Sequence, residues 1–409
     1  MRRLVIEVIV MSLVFFGGVA VAADSGGHIQ AAQDLLAQAN AELEAAKAEP
    51  LPTITETVTV TATTPPPTIP PPTSAPPPSP PVPDCVGMQI PAGADLRLVI
   101  PNGVAETYCL AAGTYELGTN TLGFDSGDSI IGPPVTFGPK GEVTAQAFIH
   151  GSSSLGVIAN TVANSTLTLE NLDISGAGGG QYGAGWTDHA AGVNGNNGGQ
   201  VVYLTVRNSR IHDNASLGIG HVGRGLIVEN SEIDHNGSTA HTGYDAGIKT
   251  IHYAVIHNTY FHDNLNGMWW DCDAPGGEVT DSRFEANMRA GAWVEISSGA
   301  SPRVTDPGQV RGFRILNNQV SGNNTTLNNG YSGILVVSSE DVMIDGNVAT
   351  NNANADIRVW VTAAPPGHKG CSSGFAASTV TIQNNQYGPL DLQGCTLAGV
   401  TCLNNTRIL

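Results

Sequence analysis

The sequence has few basic residues, and this scarcity excludes one class of function. Its 409 residues include 17 Lys and Arg against 35 Asp and Glu, which gives a formal net charge of -18. Proteins that bind nucleic acid need a basic patch to neutralise phosphate charge, and no such patch occurs along the chain. Nucleic acid is therefore not expected among its partners.

Charged residues of either sign are scarce as well. They make up 13% of the chain, aromatic residues make up 6%, and glycine occurs 50 times. A low charge content with abundant Gly, Asn and Thr is typical of β-rich extracellular proteins and untypical of helical enzymes. The composition therefore favours an all-β protein that is secreted or otherwise extracytoplasmic.

The cysteines lack the Cys-x-x-Cys or Cys/His spacing of a zinc site. Six cysteines occur, and outside the cytoplasm an even number permits disulfide bonds. Cys85 and Cys109 are close in sequence and are expected to pair. A second disulfide is expected between two of Cys371, Cys395 and Cys402.

The N-terminal segments differ from the rest of the chain. Residues 1–22 have a basic start and an apolar run, which predict either a signal peptide or a membrane anchor. Residues 23–49 predict a short helix. Heptad spacing within residues 28–48 fits a weak coiled coil, which would make the protein a weak homo-oligomer. A solvated amphipathic helix fits the same spacing. Residues 50–84 are rich in Thr and Pro and predict an extended linker that holds the domain away from the cell surface.

Residues 85–409 consist of short strand-like segments that repeat. One copy begins at Val206 and reads Val-Arg-Asn-Ser-Arg-Ile-His-Asp-Asn, and others begin at Val228, Ile256, Val279 and Ile315. The first steps between copies are 22, 28 and 23 residues, which is about one turn of a solenoid. The first polar positions of the copies are Asn208, Asn230, Asn258, Asp281 and Asn317, and the last are Asn214, Asn236, Asn264, Asn287 and Asn323.

Stacking explains such a repeat. One coil cannot bury its apolar face alone, so successive coils stack and enclose a continuous core. Asn at a turn tolerates a left-handed backbone and hydrogen-bonds to its equivalents in neighbouring coils. Over residues 95–405 the pattern resembles the right-handed parallel β-helix repeat proteins, the superfamily of pectate lyases and polygalacturonases. The resemblance implies an all-β, single-stranded right-handed parallel β-helix for residues 85–409 and a carbohydrate-active protein.

Four strands that follow the repeats align on a glycine, and side chains alternate between the two faces of a strand. The glycines are Gly247, Gly267, Gly291 and Gly333. One parity is apolar and is predicted to point into the core; it comprises Ile248, Met268, Ala292 and Ile334. Cys272 shares this inward parity and is expected to be a buried thiol.

The opposite parity is expected to face solvent, and it carries the polar and aromatic residues of these strands. They are Asp245, Lys249, Trp269, Asp271, Asp273, Arg289, Trp293 and Glu295. Stacked strands lie about 4.8 Å apart, so the carboxylates of Asp271 and Glu295 are expected within roughly 5 to 7 Å of each other. Trp269 is expected to stack beside Trp293. Exposed tryptophans with clustered carboxylates indicate a groove that binds polysaccharide.

Similar residues occur in bacterial β-helix proteins of uncharacterised carbohydrate-active type. Those proteins carry Gly-x-Lys, a Gly-x-Trp-x-Asp-x-Asp-like segment and Asn-x-x-Ala-Gly-x-x-x-Glu-Ile-Ser. The matching segments here are Gly247–Lys249, Gly267–Asp273 and Asn287–Ser297. The Gly-His-Gly signature of polygalacturonases and an Arg-x-Pro-x-x-Arg lyase motif are missing, so neither mechanism transfers directly.

Three functions fit this pattern. The first is a glycoside hydrolase, which we favour because tryptophan platforms suit neutral sugars. Its catalytic group would comprise Asp271, Asp273, Glu295 and Lys249, and it would need no cofactor. In a polysaccharide lyase, Lys249 abstracts a proton while Asp271, Asp273 and Glu295 hold Ca²⁺. In a non-catalytic surface protein the same groove only binds carbohydrate. The residues predicted to contact the sugar are Trp269, Trp293, Asp245, Arg289, His241 and Tyr244.

Overall fold

The computed structural model describes one structural unit of the chain, within Ser74–Leu409. The described residues are 85–100, 103–159, 165–178, 190–195, 202–220, 223–238, 245–299, 309, 311–326, 330–361, 379–388 and 392–408. The predicted signal or anchor, the helix and the linker lie outside them. Among the described residues no helix is long and apolar enough to cross a membrane.

The chain winds through three parallel sheets that it visits in turn. For example, Val202–Arg207 lies in sheet 1, Arg210–His212 in sheet 2 and Leu217–Gly220 in sheet 3, after which Gly225–Glu229 returns to sheet 1. Each strand pairs in register with its equivalent in the next coil. This is the parallel β-helix that the repeat predicts.

The three sheets and the smaller elements have the following bounds. Sheet 1 contains Met88–Ile90, Thr107–Leu110, Asp128–Ile131, Ser165–Glu170, Val202–Arg207, Gly225–Glu229, Ala254–His257, Gly276–Thr280, Gly312–Leu316, Val342–Asp345, Val380–Gln383 and Val400–Leu403. Sheet 2 contains Gly113–Gly118, Ala147–Gly151, Leu172–Ser175, Arg210–His212, Glu232–Asp234, Tyr260–His262, Arg283–Glu285, Gln319–Ser321, Val348–Thr350, Gln386–Tyr387 and Thr406–Arg407. Sheet 3 contains Ile158–Ala159, Ala191–Asn194, Leu217–Gly220, Ala246–Thr250, Met268–Trp270, Ala292–Glu295, Ile334–Val337, Ile357–Trp360 and Leu392–Gln393. Thr136–Phe137 and Val143–Thr144 form an antiparallel pair, and Leu96–Leu98 is a short 3-10 helix.

The core lies inside the coils and is built from columns of apolar residues in register. Each sheet points alternate residues inward, so one inward residue per coil stacks on its equivalents above and below. In sheet 2 this column is Ile149, Ile174, Ile211, Ile233, Phe261, Phe284, Val320 and Ala349. All are buried, and the Phe261 and Phe284 rings stack at 4.7 Å.

The repeated polar positions behave as predicted. Asn208, Asn230, Asn258, Asp281 and Asn317 have φ of 48°, 48°, 45°, 50° and 56°, the left-handed region that turns the chain from sheet 1 into sheet 2. The last Asn of each repeat forms a buried ladder between sheets 2 and 3. Asn236 Nδ2 donates to Asn264 Oδ1 at 3.0 Å, and Asn264 Nδ2 donates to Asn287 Oδ1 at 3.1 Å.

The disulfides confirm two predictions and correct a third. Cys85 pairs with Cys109, and Cys395 pairs with Cys402. Cys272 is buried as expected, but it is disulfide-bonded and so is no thiol. Inward parity indicated burial correctly, but the parity of a side chain does not reveal whether its sulfur is disulfide-bonded. Cys371 lies outside the described residues.

Candidate active site

The four strands that align on a glycine are neighbours in sheet 3. Ile248, Met268, Ala292 and Ile334 share one rung and are fully buried, so the predicted inward parity is confirmed. The aligned glycines bring the coils close together at this corner. A Cβ at Gly267 would lie 2.4 Å from the carbonyl oxygen of Gly291, which only glycine avoids.

The next rung points away from the core but is not exposed, so the predicted exposure is wrong. Lys249 is 0% exposed, Trp269 and Asp271 are 3% exposed, and Trp293 is 6% exposed. The outward residues on this face of the sheet form a second apolar cluster. Together with the two tryptophans it comprises Ala191, Leu217, Ala246, Ala290, Leu335 and Val337, with Tyr331 packed against it. Strand parity gives the direction of a side chain, whereas longer-range packing decides whether water reaches it.

The aromatic residues of this face form a continuous stack. Lys249 Nζ lies 3.7 Å from the centre of the Trp269 ring, and the Trp269 and Trp293 rings are 4.2 Å apart at 9°. Tyr331 meets Trp293 edge-on at 5.5 Å, and the Arg289 guanidinium lies 5.2 Å from the Tyr331 ring. Trp269 does stack beside Trp293 as predicted. Because each ring covers the next, they form no open platform for sugar rings.

Tyr331 is the residue of this stack that sequence reasoning missed. It lies two residues before Gly333, the same offset at which Asp245 precedes Gly247 and Arg289 precedes Gly291. Extending that offset to the fourth strand would have found it. The Tyr331 side chain is partly buried, and burial raises its pKa, which Arg289 lowers and Glu295 raises further. Its hydroxyl therefore stays protonated near neutral pH.

Lys249 and Asp271 form a buried ion pair. Nζ of Lys249 lies 3.1 Å from Oδ2 of Asp271, and the other oxygen of Asp271 accepts a hydrogen bond from the Cys272 backbone at 2.8 Å. Burial lowers the pKa of Lys249, against the charges of Asp271, Glu295 and Asp245, which raise it. The ammonium is thus held by carboxylates and kept away from solvent.

Glu295 occupies the position equivalent to Asp271 on the next coil, because Trp270 pairs with Val294 in the preceding rung. Burial and the charge of Asp271 together raise the pKa of Glu295 to about 8, against the opposing effect of Lys249. Asp271 also contacts Glu295 through a side-chain hydrogen bond, for which the proton on Glu295 supplies the donor. Trp269 Nε1 donates to Oε2 of Glu295 at 3.1 Å. Glu295 is the partly exposed member of the group.

The remaining predicted residues do not join this group as expected. Asp245 is fully buried and accepts hydrogen bonds from the Ser216 hydroxyl at 2.7 Å and the Ser238 backbone at 3.2 Å, so it is no exposed rim residue. Asp273 is buried in a left-handed turn with φ of 62°, where its backbone N–H donates to Ile296. His241 and Tyr244 lie outside the described residues.

Asp271, Asp273 and Glu295 do not converge as ligands of a metal ion. In the part of the chain that the structure describes, one group of three ligating side chains has all its donor atoms within 4.8 Å of one another, and it is Asp234, His235 and His262 on sheet 2. At the sheet 3 site a lysine ammonium already lies against Asp271, and Glu295 carries a proton at neutral pH. Both features oppose a divalent cation there.

Comparisons with known proteins agree with this architecture. Residues 146–306 match a family model described as a right handed beta helix region. The fold is similar to the A-module of mannuronan C-5 epimerase AlgE4 from Azotobacter vinelandii, with 14% identity, a TM-score of 0.50, and coverage of 77% of this chain and 92% of that chain. The AlgE6 A-module from the same organism gives 13% identity, a TM-score of 0.47, and coverage of 78% and 93%.

A third similar structure is a mutant of the periplasmic alginate epimerase AlgG, with 12% identity, a TM-score of 0.47, and coverage of 78% of this chain and 84% of that chain. No curated protein sequence matches the chain significantly. At these identities the structural likeness concerns the fold.

Proposed function

We propose that this right-handed parallel β-helix protein cleaves a polysaccharide outside the cytoplasm, as a glycoside hydrolase whose acid is Glu295. The epimerase whose fold it shares at a TM-score of 0.50 is named for mannuronan, a polysaccharide, and this supports a polysaccharide as the ligand class. Disulfide bonds at Cys85, Cys109, Cys272, Cys395 and Cys402 support an oxidising compartment. A signal peptide or anchor in residues 1–22 would deliver the chain there.

One observation carries the proposal: two carboxyl groups meet on neighbouring coils, and the partly exposed one is protonated. Glycoside hydrolysis needs a carboxylic acid to protonate the leaving oxygen and a second carboxylate that acts as base or nucleophile. Glu295, with a pKa of about 8, holds its proton at neutral pH and is partly open to solvent. Asp271 is the second carboxylate, and it lies 3.1 Å from Nζ of Lys249.

In the proposed reaction Glu295 donates its proton to the glycosidic oxygen as the bond to the sugar breaks. The negative charge of Asp271 opposes ionisation of Glu295 and keeps it protonated until substrate binds, against the opposing effect of Lys249. A water molecule adds to the sugar carbon, so that a new C–O bond forms there as the glycosidic bond breaks, and Asp271 takes the proton that this water loses. No metal ion is required by this chemistry.

The lyase alternative receives less support from the geometry. A lyase base must take a proton from the sugar, whereas Nζ of Lys249 lies 3.1 Å from Asp271 in an ion pair. The three carboxylates that would hold Ca²⁺ do not converge, as described above. A non-catalytic carbohydrate-binding protein remains the second candidate, because the buried tryptophans and the ion pair also stabilise the fold.

The test is an assay for new reducing ends on a panel of neutral and acidic polysaccharides, using the full chain. We expect Glu295→Gln to lower turnover by at least ~100-fold, the usual contribution of general acid catalysis. Turnover of the wild type should fall as pH rises through about 8, because Glu295 loses its proton there. Glu285→Gln, which changes an equivalent side chain on sheet 2, is the matched control.

Three outcomes decide between the candidates. Chelator-resistant release of saturated oligosaccharides that depends on Glu295 supports the hydrolase. Unsaturated products would support the lyase, and binding without any turnover would support the non-catalytic surface protein.

A further inference from the structure

Two histidines and a buried aspartate meet on the outer face of sheet 2, away from the proposed active site. Asp234 ends one strand of that sheet, His235 follows it, and His262 ends the strand of the next coil. Asp234 and His262 pair in register, so their side chains leave strands about 4.8 Å apart on the same face. One donor atom from each of the three residues lies within 4.8 Å of the other two.

The repeat explains how this cluster arises. Two copies have His followed by Asp at this point, at residues 212–213 and 262–263, whereas the copy between them has Asp234 followed by His235. The reversal puts a carboxylate into a rung whose neighbours on both sides are histidines. It also puts His235 into the left-handed turn position, with φ of 52°, that Asp holds in the other two copies. Nδ1 of His235 then lies 2.6 Å from Oδ2 of Asp234.

Two of the three side chains are held in place by their neighbours. Arg210 donates from Nε to Oδ1 of Asp234 at 2.9 Å and from Nη2 to Oδ2 at 2.6 Å. Both nitrogens of His262 contact carboxylates: Nδ1 lies 2.8 Å from Asp263, and Nε2 lies 2.9 Å from Glu232. Whichever nitrogen binds a metal ion, the other stays bonded to a carboxylate, which is the outer partner that metal-ligating histidines usually have.

The charges around the cluster favour a cation. Three carboxylates contact its members, those of Asp234, Glu232 and Asp263, and the guanidinium of Arg210 offsets one of them. The imidazole protons lie between a nitrogen and a carboxylate oxygen, so a metal ion that displaces such a proton finds both atoms ready as ligands. The sheet 3 group differs, because the cation beside its carboxylates is the Lys249 ammonium, which belongs to the chain and cannot leave.

We propose that Asp234, His235 and His262 bind a divalent transition-metal ion such as Zn²⁺ and thereby join two successive coils. Two imidazoles with a carboxylate suit such ions, whereas Ca²⁺ takes oxygen ligands. Metal–ligand bonds of about 2.0–2.2 Å place tetrahedral donors roughly 3.4 Å apart, so the present donors need to approach one another by at most roughly 1.4 Å. The His235 side chain is 51% exposed, which leaves the ion a path of entry. The site is separate from the proposed hydrolase and does not depend on it.

The experiment is a calorimetric titration of the metal-stripped full chain, without a histidine tag, with Zn²⁺. We expect one Zn²⁺ to bind per chain. The melting temperature should rise with the Zn²⁺ concentration, because an ion that binds only the folded state stabilises it. Ca²⁺ in excess should not displace the bound Zn²⁺, because the site has two nitrogen donors.

The variants assign the bound ion to these residues. His235→Gln and His262→Gln should each lower the Zn²⁺ affinity by more than ~100-fold, because loss of an outer partner alone typically costs ~10–100-fold. His257→Gln is the matched control. His257 lies on sheet 1, its side chain is 48% exposed, and its Nδ1 lies 3.6 Å from Asp281, so its loss should leave the affinity unchanged.

Three results would overturn the site. Absence of saturable Zn²⁺ binding would show that the cluster holds no metal ion. Binding that His235→Gln and His262→Gln both retain would show an adventitious ion elsewhere on the chain. Displacement of Zn²⁺ by an equal concentration of Ca²⁺ would show that oxygen donors alone hold the ion. Because His235 is half exposed, its variant should keep a normal melting curve without metal, and its affinity therefore decides even if His262→Gln does not fold.

Discussion

Glu285 and Glu295 are the same residue type in the same coil, and they titrate in opposite directions. Glu285 ends a strand of sheet 2 and Glu295 ends a strand of sheet 3, and both side chains point away from the core. The pKa of Glu285 is lowered to about 2, whereas that of Glu295 is raised to about 8. Outward parity is therefore a poor guide to the chemistry of a side chain.

The partners of the two glutamates explain the difference. Burial raises the pKa of Glu285, but hydrogen bonds from Tyr260 at 2.7 Å and from Lys140 and Arg283 at 3.1 Å outweigh it. Glu295 is more deeply covered, accepts one bond from a neutral indole, and lies against a second carboxylate. The charged side chains of sheet 2 thus form ion pairs at a partly solvent-exposed surface, whereas those of sheet 3 are buried.

The largest expected effect is on the free energy of unfolding, when an ion pair is broken on sheet 3 or on sheet 2. Lys249→Met should lower the free energy of unfolding by about 3–5 kcal/mol, because it leaves the Asp271 carboxylate buried without its partner. Arg283→Met should cost about 1 kcal/mol or less, because Arg283 and Glu285 are 29% and 27% exposed. Urea denaturation at neutral pH measures both.

A double variant provides the control for this comparison. Lys249→Met combined with Asp271→Leu removes both charges and should recover most of the loss. If Lys249→Met and Arg283→Met lowered the free energy of unfolding equally, the sheet 3 face would be as accessible to water as the sheet 2 face.

The second prediction concerns the pH dependence of stability that arises from Glu295. Its folded pKa of about 8 lies above its ordinary value of 4.5, so its contribution to stability is fully present below pH 4.5 and is lost as pH rises through about 8. The wild type should therefore lose stability relative to Glu295→Gln across this window, by at most about 1.4 kcal/mol per pH unit. Melting temperatures of both proteins at matched pH values test this slope, and parallel curves would contradict it.

Glu285 should show the opposite slope at acid pH. Its folded pKa of about 2 lies below 4.5, so its contribution is present above pH 4.5 and is lost as pH falls through about 2. The stability advantage of the wild type over Glu285→Gln should shrink over that range. An advantage that persists at the lowest pH would mean that Tyr260, Lys140 and Arg283 do not hold the ionised form.

The smallest expected effect lies within the tryptophan stack. Trp269→Phe removes a donor that is bonded to Glu295, whereas Trp293→Phe removes one without a described acceptor. Since both changes delete a similar volume, Trp269→Phe should be more destabilising by about 1 kcal/mol. Equal losses in chemical denaturation would indicate that the Trp269 bond contributes nothing.

The sequence alone determined the solenoid, because its signals are local and recur in every coil. Asn236, Asn264 and Asn287 recur at a spacing of about one coil, and each bonds to the next as that spacing predicts. Alternation along a strand likewise assigned Ile248 and Met268 to the core and Lys249 and Trp269 to the other face. Both rules follow from backbone geometry, which is the same in every coil.

Only the tertiary structure decided what surrounds the outward residues. The burial of Lys249 depends on segments that are distant in sequence. The pKa of Glu295 depends on them too, since it reflects how much water the covering residues exclude and how close Asp271 lies. The two-residue periodicity of a strand determines the direction in which each side chain points. Exclusion of solvent depends instead on all the residues packed around that side chain, which come from many coils, and no local pattern in the sequence reveals them.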